Sequence, residues 1–286
     1  MSGLKSIAWC IAYRTRNNDN AVFHVLENPI WGWAADPFMI KVEGVVYLFA
    51  ELWDYKKGKG GLGYTIIEKN RKADWHMVIE EEYHLSYPHF VKMNGVLYIC
   101  PESCNDKTVY FYKCIRFPDE WEKQPPFIKN MDCSDTTFYQ CNESLYGFTC
   151  LYHEKPIKLI AFKYENNQVE FSEKNPIYEG GVLARPGGAI FEENGKLIRV
   201  SQDCTEYYGK ALVFSELEIH WPDISEKVIR TISIDDFKFD KGMNPIGIHT
   251  YNRCDDLEVV DLKLNGVNLV NVFFRIVIKI KKRLHL

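Results

Sequence analysis

The sequence predicts an all-β fold, a five-bladed β-propeller. A two-strand pattern recurs about every fifty residues, tight-turn residues fall at one place in the copies, and few long helical periodicities compete. The copies occupy 35–51 (ADPFMIKVEGVVYLFAE), 87–102 (YPHFVKMNGVLYICPE), 135–150 (DTTFYQCNESLYGFTC) and 187–203 (GGAIFEENGKLIRVSQD), with a weaker fifth at 247–264. Asp36 to Gly44 is eight residues and Gly44 to Glu51 is seven; Tyr87, Gly95 and Glu102, and Gly187, Gly195 and Gln202, repeat both intervals. Asp135 to Tyr146 is eleven, matching Asp36 to Tyr47. The copies therefore start at 36, 87, 135, 187 and about 248.

Each copy reads as a hairpin. Glu43-Gly44, Asn94-Gly95 and Asn194-Gly195 supply the positive φ of a two-residue turn. Strand-like runs follow at 62–68, 108–115, 157–164 and 211–219, giving each unit three or four strands, one propeller blade. The run Ser6–Tyr13 has no hairpin of its own and is expected to close the ring on the last blade, removing an exposed edge. The propeller is expected to span 1–267, followed by a tail at 268–286.

Composition narrows the class. Hydrophobic residues make up 46%, enough for a packed core and against disorder. The formal charge of −4 gives no basic excess, so a nucleic-acid partner is not expected. The nine cysteines are odd in number and form no CxxC pair, and Cys10, Cys100 and Cys150 sit in apolar strands. They read as small hydrophobes in a reduced, cytoplasmic protein. The apolar run 7–12 is too short for a signal segment, and Arg14 and Arg16 close it. No segment has the ~18 apolar residues needed to span a bilayer.

The repeat also predicts a site. The first strand of each propeller blade lines the axis, and the hairpin returns its partner's end to the same rim. Asp36, Glu51, His89, Glu102, Asp135, Arg185, Gln202, Asp203, His249 and Asn252 should therefore converge on one funnel, with Trp31, Trp33 and Tyr87 at strand starts. Aromatic faces stack sugar rings and carboxylates hold hydroxyls, so a carbohydrate or nucleotide-sugar substrate fits this set. The alternative is that these groups cap strand ends and bind one another across the channel. Arg185 could grip a phosphate or sugar carboxylate through its planar fork, or pair with Asp203 or Asp135.

WAADPF (33–38), SYPHF (86–90) with PES (101–103), DTTF (135–138), ARPGGA (184–189) with SQDC (201–204) and YYGKAL (207–212), and GIHTYN (247–252) carry a family resemblance. In order and at blade spacing, they resemble the N-terminal propeller domain of glucosamine inositolphosphorylceramide transferases and its standalone bacterial relatives, over roughly 8–262. The larger proteins carry a separate glycosyltransferase domain after the propeller; none is expected in this sequence, so the resemblance does not transfer their overall activity. More distantly, the blade-one Asp-Pro is similar to glycoside hydrolase family 43 and its clan. That clan places an acidic residue at the start of blade one, an Asp at blade three and a Glu at blade four. Asp36 and Asp135 match the first two; Arg185-Pro186-Gly187-Gly188 stands where the Glu would be. Glu102 or Glu51 could supply a carboxylic acid from another rim position.

The resemblance implies a carbohydrate-active enzyme of surface-glycan (polysaccharide) biosynthesis, a glycosyltransferase using an activated sugar. Asp36 is the expected general base. Asp135 and Glu102 would position sugar hydroxyls or tune its pKa, and Arg185 would bind phosphate. A family 43-type hydrolase using two carboxylates, or a non-catalytic glycan-binding propeller, are the alternatives. No cofactor or metal is expected: the histidines form no close metal pair, although His89 and His249 could meet near the axis.

The Gly58–Gly63 run spells GxGxxG, but a strand-like Tyr64-Thr65-Ile66-Ile67 follows, so it reads as a flexible hairpin tip. In the tail, Arg275, Lys279, Lys282 and Arg283 share one helical face opposite Phe273, Ile276, Val277, Ile280 and Leu284. That pattern suits a basic amphipathic helix making peripheral contact through 270–286 with the inner face of a membrane; alternation of Ile276, Ile278 and Ile280 suits a strand instead.

Overall fold

The computed structural model describes residues 8–16, 22–68, 72–240, 242–265 and 273. The expected tail lies outside the described residues apart from Phe273. Five sheets form five blades of a propeller. Blade 1 runs Gly32–Val42, Val45–Asp54, Lys59–Ile66 and His76–Ile79. Blade 2 runs Ser86–Met93, Val96–Glu102, Tyr112–Arg116 and Glu120–Lys123. Blade 3 runs Cys133–Cys141, Ser144–Leu151, Lys158–Glu165 and Gln168–Phe171. Blade 4 runs Phe191–Glu193, Lys196–Asp203, Ala211–His220 and Asp223–Ser233.

Blade 5 combines both ends of the chain. Leu257–Leu264 pairs Pro245–Gly247 and Tyr251–Cys254 on one side and Ala8–Thr15 on the other, with Ala8 opposite Leu264 and Thr15 opposite Leu257. The N-terminal strand thus closes the ring as expected, ending two residues further along the chain, at Thr15.

The turns follow the sequence signals. Glu43, Asn94, Asn142, Asn194 and Asp255 all sit at positive φ, and Gly44, Gly95 and Gly195 complete tight hairpins at φ 84°, 77° and 74°. The core lies between blades. Phe49, Leu62, Leu85 and Ile99 fill the seam between blades 1 and 2, and Phe138, Leu145 and Phe162 the seam between 2 and 3. Phe148, Leu159, Ala184 and Leu217 lie between 3 and 4, Val200, Phe214, Tyr251 and Val260 between 4 and 5, and Ile11, Leu48 and Val259 between 5 and 1.

Two local expectations are corrected. The glycine run is not a hairpin tip: Lys59–Ile66 is a strand, and only Gly58 lies in the turn. A Cβ on Gly60 would sit 2.7 Å from Glu51 Oε1, and one on Gly63 2.4 Å from the His76 carbonyl. These glycines exist for close packing. The single strand expected at 108–115 is broken, because Thr108–Val109 pairs Ile128–Lys129 while Tyr112–Arg116 joins the blade.

Candidate active site

The site begins with a repeated backbone device. The inner strands of blades 1, 2 and 3 bulge at the same place: their registers shift between Ala35 and Phe38, Ser86 and His89, and Ser134 and Thr137. Asp36, Tyr87 and Asp135 occupy the bulges at φ 50°, 48° and 52°. A non-glycine residue there is strained, and bulges re-aim side chains at the rims of sheets. In blade 4 the equivalent stretch is Pro186-Gly187-Gly188, where Gly188 has φ 151° and a Cβ would lie 1.9 Å from the Tyr251 carbonyl. A proline without N–H and an open glycine replace the bulge with a close crossing of two blades.

Two charged clusters face each other across the axis. In the first, Asp36 Oδ1 accepts from Thr250 Oγ1 at 2.7 Å and lies 3.3 Å from His249 Nε2. His249 Nδ1 lies 2.6 Å from Asp261 Oδ2, and the imidazole packs against Trp9 at 4.1 Å between centroids, its plane tilted by 34°. Asp261, fully buried, accepts from the backbone N–H of Asp36, His249 and Thr250. Burial raises the Asp36 carboxyl to about 6, against the opposing pull of His249. Burial pulls the His249 imidazole down, but Asp261 and Asp36 outweigh it, and its pKa is raised.

The second cluster joins blades 2, 3 and 4. Asp135 Oδ2 accepts from Arg185 Nε at 2.6 Å and Gln202 Nε2 at 3.0 Å, and the Asp135 N–H donates to Glu102 Oε2. Glu102 Oε1 also accepts from Cys104 Sγ. Burial and then Asp135 raise the Glu102 carboxyl to about 8, with Arg185 opposing. The Arg185 guanidinium lies between the rings of Tyr152 and Tyr208, 4.5 and 5.0 Å from their centroids. Its Nε is committed to Asp135, and neither Nη makes a hydrogen bond among the described residues.

The remaining expected residues divide. Glu51 is buried between the clusters, its carboxyl pushed well up by burial and by Asp36 and Glu102, with His84 Nε2 3.6 Å from Oε1. Trp33 stacks flat on Trp53 at the funnel end. Asp203 is engaged beside the mouth, accepting from Thr205 N and Oγ1 and lying 3.4 Å from Lys210 Nζ. His89 and His249 do not meet. His89 packs edge-on between Phe38 and Phe138, accepts from the Phe138 N–H, and is held near a pKa of about 4 by burial. Asn252 is a stitch: it donates to the Pro37 carbonyl and accepts from the Ala189 N–H, joining blades 5, 1 and 4.

Asp261, Thr250, Tyr152 and Tyr208 were not among the expected residues. Asp261 left a signal. The pairing of Gly247 with Lys263 corresponds to that of Ala35 with Glu51, so Asp261 occupies the place held by Phe49, Cys100, Phe148 and Val200. A carboxylate at a register otherwise apolar or thiol marks a buried polar role. Asp36, His249 and Asp261 offer ligand atoms within 4.8 Å of one another. They do not fit a metal well: the Asp261 oxygens and Asp36 Oδ1 are already spent on three backbone amides, Thr250 and His249. The arrangement reads as an Asp–His–Asp relay that orients Asp36.

Comparison with known proteins decides the family. Residues 7–266 match the family model "Glucosamine inositolphosphorylceramide transferase 1, N-terminal". The chain belongs to this family. It is 30% identical over 209 residues to glucosamine inositolphosphorylceramide transferase 1 of Arabidopsis thaliana, covering 65% of this chain and 25% of that protein. Against the protein of the same name from Oryza sativa subsp. japonica it is 27% identical over 263 residues, covering 84% of this chain and 35% of the other. The chain therefore spans only 25% to 35% of the length of these relatives. Among solved structures it superposes on a family 117 glycoside hydrolase from Zobellia galactanivorans with a TM-score of 0.56 at 10% identity, covering 90% of this chain and 91% of the other. A Bombyx mori GH32 β-fructofuranosidase gives 0.54 at 16%, covering 80% and 55%. These superpositions establish a shared fold. The protein is a five-bladed propeller of a carbohydrate-related family.

Proposed function

We propose that the funnel is the active site of a carbohydrate-active enzyme of surface-glycan assembly, a glycosyltransferase that uses an activated sugar. Arg185 carries the reading. Asp135 fixes its Nε, Tyr152 and Tyr208 hold its plane, and both Nη groups remain free to bind an anion. A fork held in this way suits the phosphate of a nucleotide sugar. Asp36, with a pKa of about 6, is mostly ionised at neutral pH and can accept a proton. The acceptor oxygen attacks the anomeric carbon, the bond to phosphate breaks with its electron pair passing to the phosphate oxygen, and the acceptor proton passes to Asp36. His249 and Asp261 orient that carboxylate.

A thermal-shift screen of nucleotide sugars tests this reading, since a ligand of the folded state raises the melting temperature. A shift with one sugar, abolished in Arg185→Met, is expected. No shift with any nucleotide sugar overturns it.

One observation favours a second reading. Glu102 keeps its proton to about pH 8 while Asp36 loses its own near 6, the separation of acid from base that hydrolysis needs. Release of sugar from arabino- or fructo-oligosaccharides, lost in Glu102→Gln, would establish a hydrolase. Glycan binding that survives Asp36→Asn, with no turnover, would leave a binding module. Cytoplasmic placement, with the 270–286 segment resting on the inner face of a membrane, accords with the reduced-cysteine pattern and the basic tail sequence.

A further inference from the structure

One carboxyl of the funnel has no hydrogen-bond partner. Asp36, Glu102, Asp135 and Asp261 each accept at least one hydrogen bond. Glu51, only 5% exposed, makes none at either oxygen among the described residues. A buried polar group in that state has given up its hydration without replacement. Native proteins rarely keep one except at a site of binding or catalysis.

The backbone of blade 1 builds a holder for this carboxyl. Glu51 and Trp53 project from the same face of Val45–Asp54. His84, on the crossover between Ile79 and Ser86, packs its ring against Trp53 at 5.7 Å between centroids. The Gly60 N–H donates to His84 Nδ1 at 2.9 Å, and the Leu85 N–H donates to the Gly60 carbonyl. A Cβ on Gly60 would lie 2.7 Å from both Glu51 Oε1 and His84 Cε1, so the bare glycine lets the two side chains meet. Burial lowers the His84 imidazole to a pKa of about 4, which keeps it neutral. With Nδ1 accepting, its one proton is on Nε2, which faces Glu51 Oε1 at 3.6 Å, just beyond a hydrogen bond.

The same setting fixes the state of Glu51. Burial, and then Asp36 and Glu102, push its carboxyl well up, so it holds its proton at neutral pH. The Nε2–H turned to Oε1 leaves that proton on Oε2. A neutral carboxyl offers an O–H donor and an acceptor at one edge, which matches a hydroxyl. It also adds no negative charge beside the phosphate that Arg185 is suited to hold. We propose that Glu51 fixes one hydroxyl of the bound sugar, and so sets which sugar the funnel accepts, with His84 as the positioning residue that orients it. This rests on the reading of the funnel as a nucleotide-sugar site. A site built to hydrogen-bond a hydroxyl rejects the analogue without it, because its own buried group is then left unpaired.

Isothermal titration calorimetry on the full chain tests the proposal. The probes are whichever of UDP-glucose, UDP-galactose, UDP-N-acetylglucosamine and GDP-mannose binds tightest, its deoxy analogues each lacking one hydroxyl, and the nucleoside diphosphate alone. For one deoxy analogue, a loss of about tenfold with the unaltered chain should vanish in Glu51→Leu, while losses with the other analogues persist. Glu51→Gln, which keeps a donor and an acceptor, should restore it. His84→Leu should abolish the same discrimination. His84→Gln, whose amide can take the Gly60 N–H and donate to Glu51, should retain it. The nucleoside diphosphate should bind all variants alike, whereas a merely structural role would weaken every probe together. Glu51 has no hydrogen bond to lose, so Glu51→Gln should melt no lower than the unaltered chain; a lower melting temperature would make Glu51 structural and overturn the proposal. If the unaltered chain binds no nucleotide sugar, the reading of the funnel falls and this proposal with it. If it binds one and Glu51→Leu keeps every discrimination, that reading stands and this proposal alone is refuted.

Discussion

Asp261→Asn removes one oxygen from the most heavily used acceptor of the relay. Oδ1 takes the N–H of His249 at 3.0 Å and of Thr250 at 2.9 Å; Oδ2 takes the N–H of Asp36 at 3.0 Å and lies 2.6 Å from His249 Nδ1. An asparagine can keep one of these sides. If it keeps the His249–Thr250 side, its NH2 faces the Asp36 N–H. A hydrogen bond to a charged acceptor, worth about 1.5–3 kcal/mol, is lost, and a buried donor is left unpaired at a cost of about 1–3 kcal/mol. The expected destabilisation is about 3–5 kcal/mol, or roughly 6–10 °C in melting temperature at about 2 °C per kcal/mol for a chain of this size. Circular-dichroism melts at neutral pH measure it. Asp255→Asn is the control: Asp255 pairs with Lys41 at an exposed turn, and the change should cost less than about 1 kcal/mol. A melting temperature for Asp261→Asn within about 2 °C of the unaltered chain would refute the reasoning.

Three further outcomes are expected. The folded pKa of Glu102, about 8, lies above its ordinary 4.5, so below 4.5 both states hold the proton and stability is intact. As pH rises to 8 the unfolded chain ionises first and stability is lost, so Glu102→Gln should melt higher than the unaltered chain at pH 8 and about the same near pH 4, on a scale of roughly 4 kcal/mol; equal loss in both chains counts against the raised pKa. Asp36→Asn should lower turnover of whichever sugar substrate is found by roughly 10²–10⁴ and remove the acidic limb near 6 from its pH–rate profile; an unchanged acidic limb would exclude Asp36 as the base. Gly188→Ala would place a methyl 1.9 Å from the Tyr251 carbonyl and should destabilise by more than about 3 kcal/mol in urea unfolding; a near-neutral result would mean that blades 4 and 5 can separate there.

Much of the fold was legible because its signals are local and repeated. The Asn-Gly and Glu-Gly turns set the hairpins, and fixed intervals from turn to rim set the register. Three of the expected starts, at 36, 87 and 135, are the bulges themselves. The glycine run 58–63 misled, because glycine marks either a loop or a tight approach of strands, and only the neighbours Glu51, His76 and His84 show which applies. Within the site, sequence reasoning assembled Asp36, Asp135, Glu102 and Arg185 and offered Asp135 or Asp203 as the partner of Arg185 without choosing between them; the structure pairs it with Asp135. The Arg185–Asp135 contact and the Tyr152–Tyr208 clamp join loops of different blades. Asp261 escaped because the fifth copy is the weakest, and its register becomes clear only when Gly247 is seen opposite Lys263.

Closure by the N-terminal strand has a practical corollary. Ala8 and Leu264 face each other at the mouth, not at the hairpin tips. A segment fused directly to Ala8 or Leu264 would therefore stand beside the opening. A permuted chain cut at a tip such as Asn194-Gly195 would carry its new ends at the opposite end of the blades.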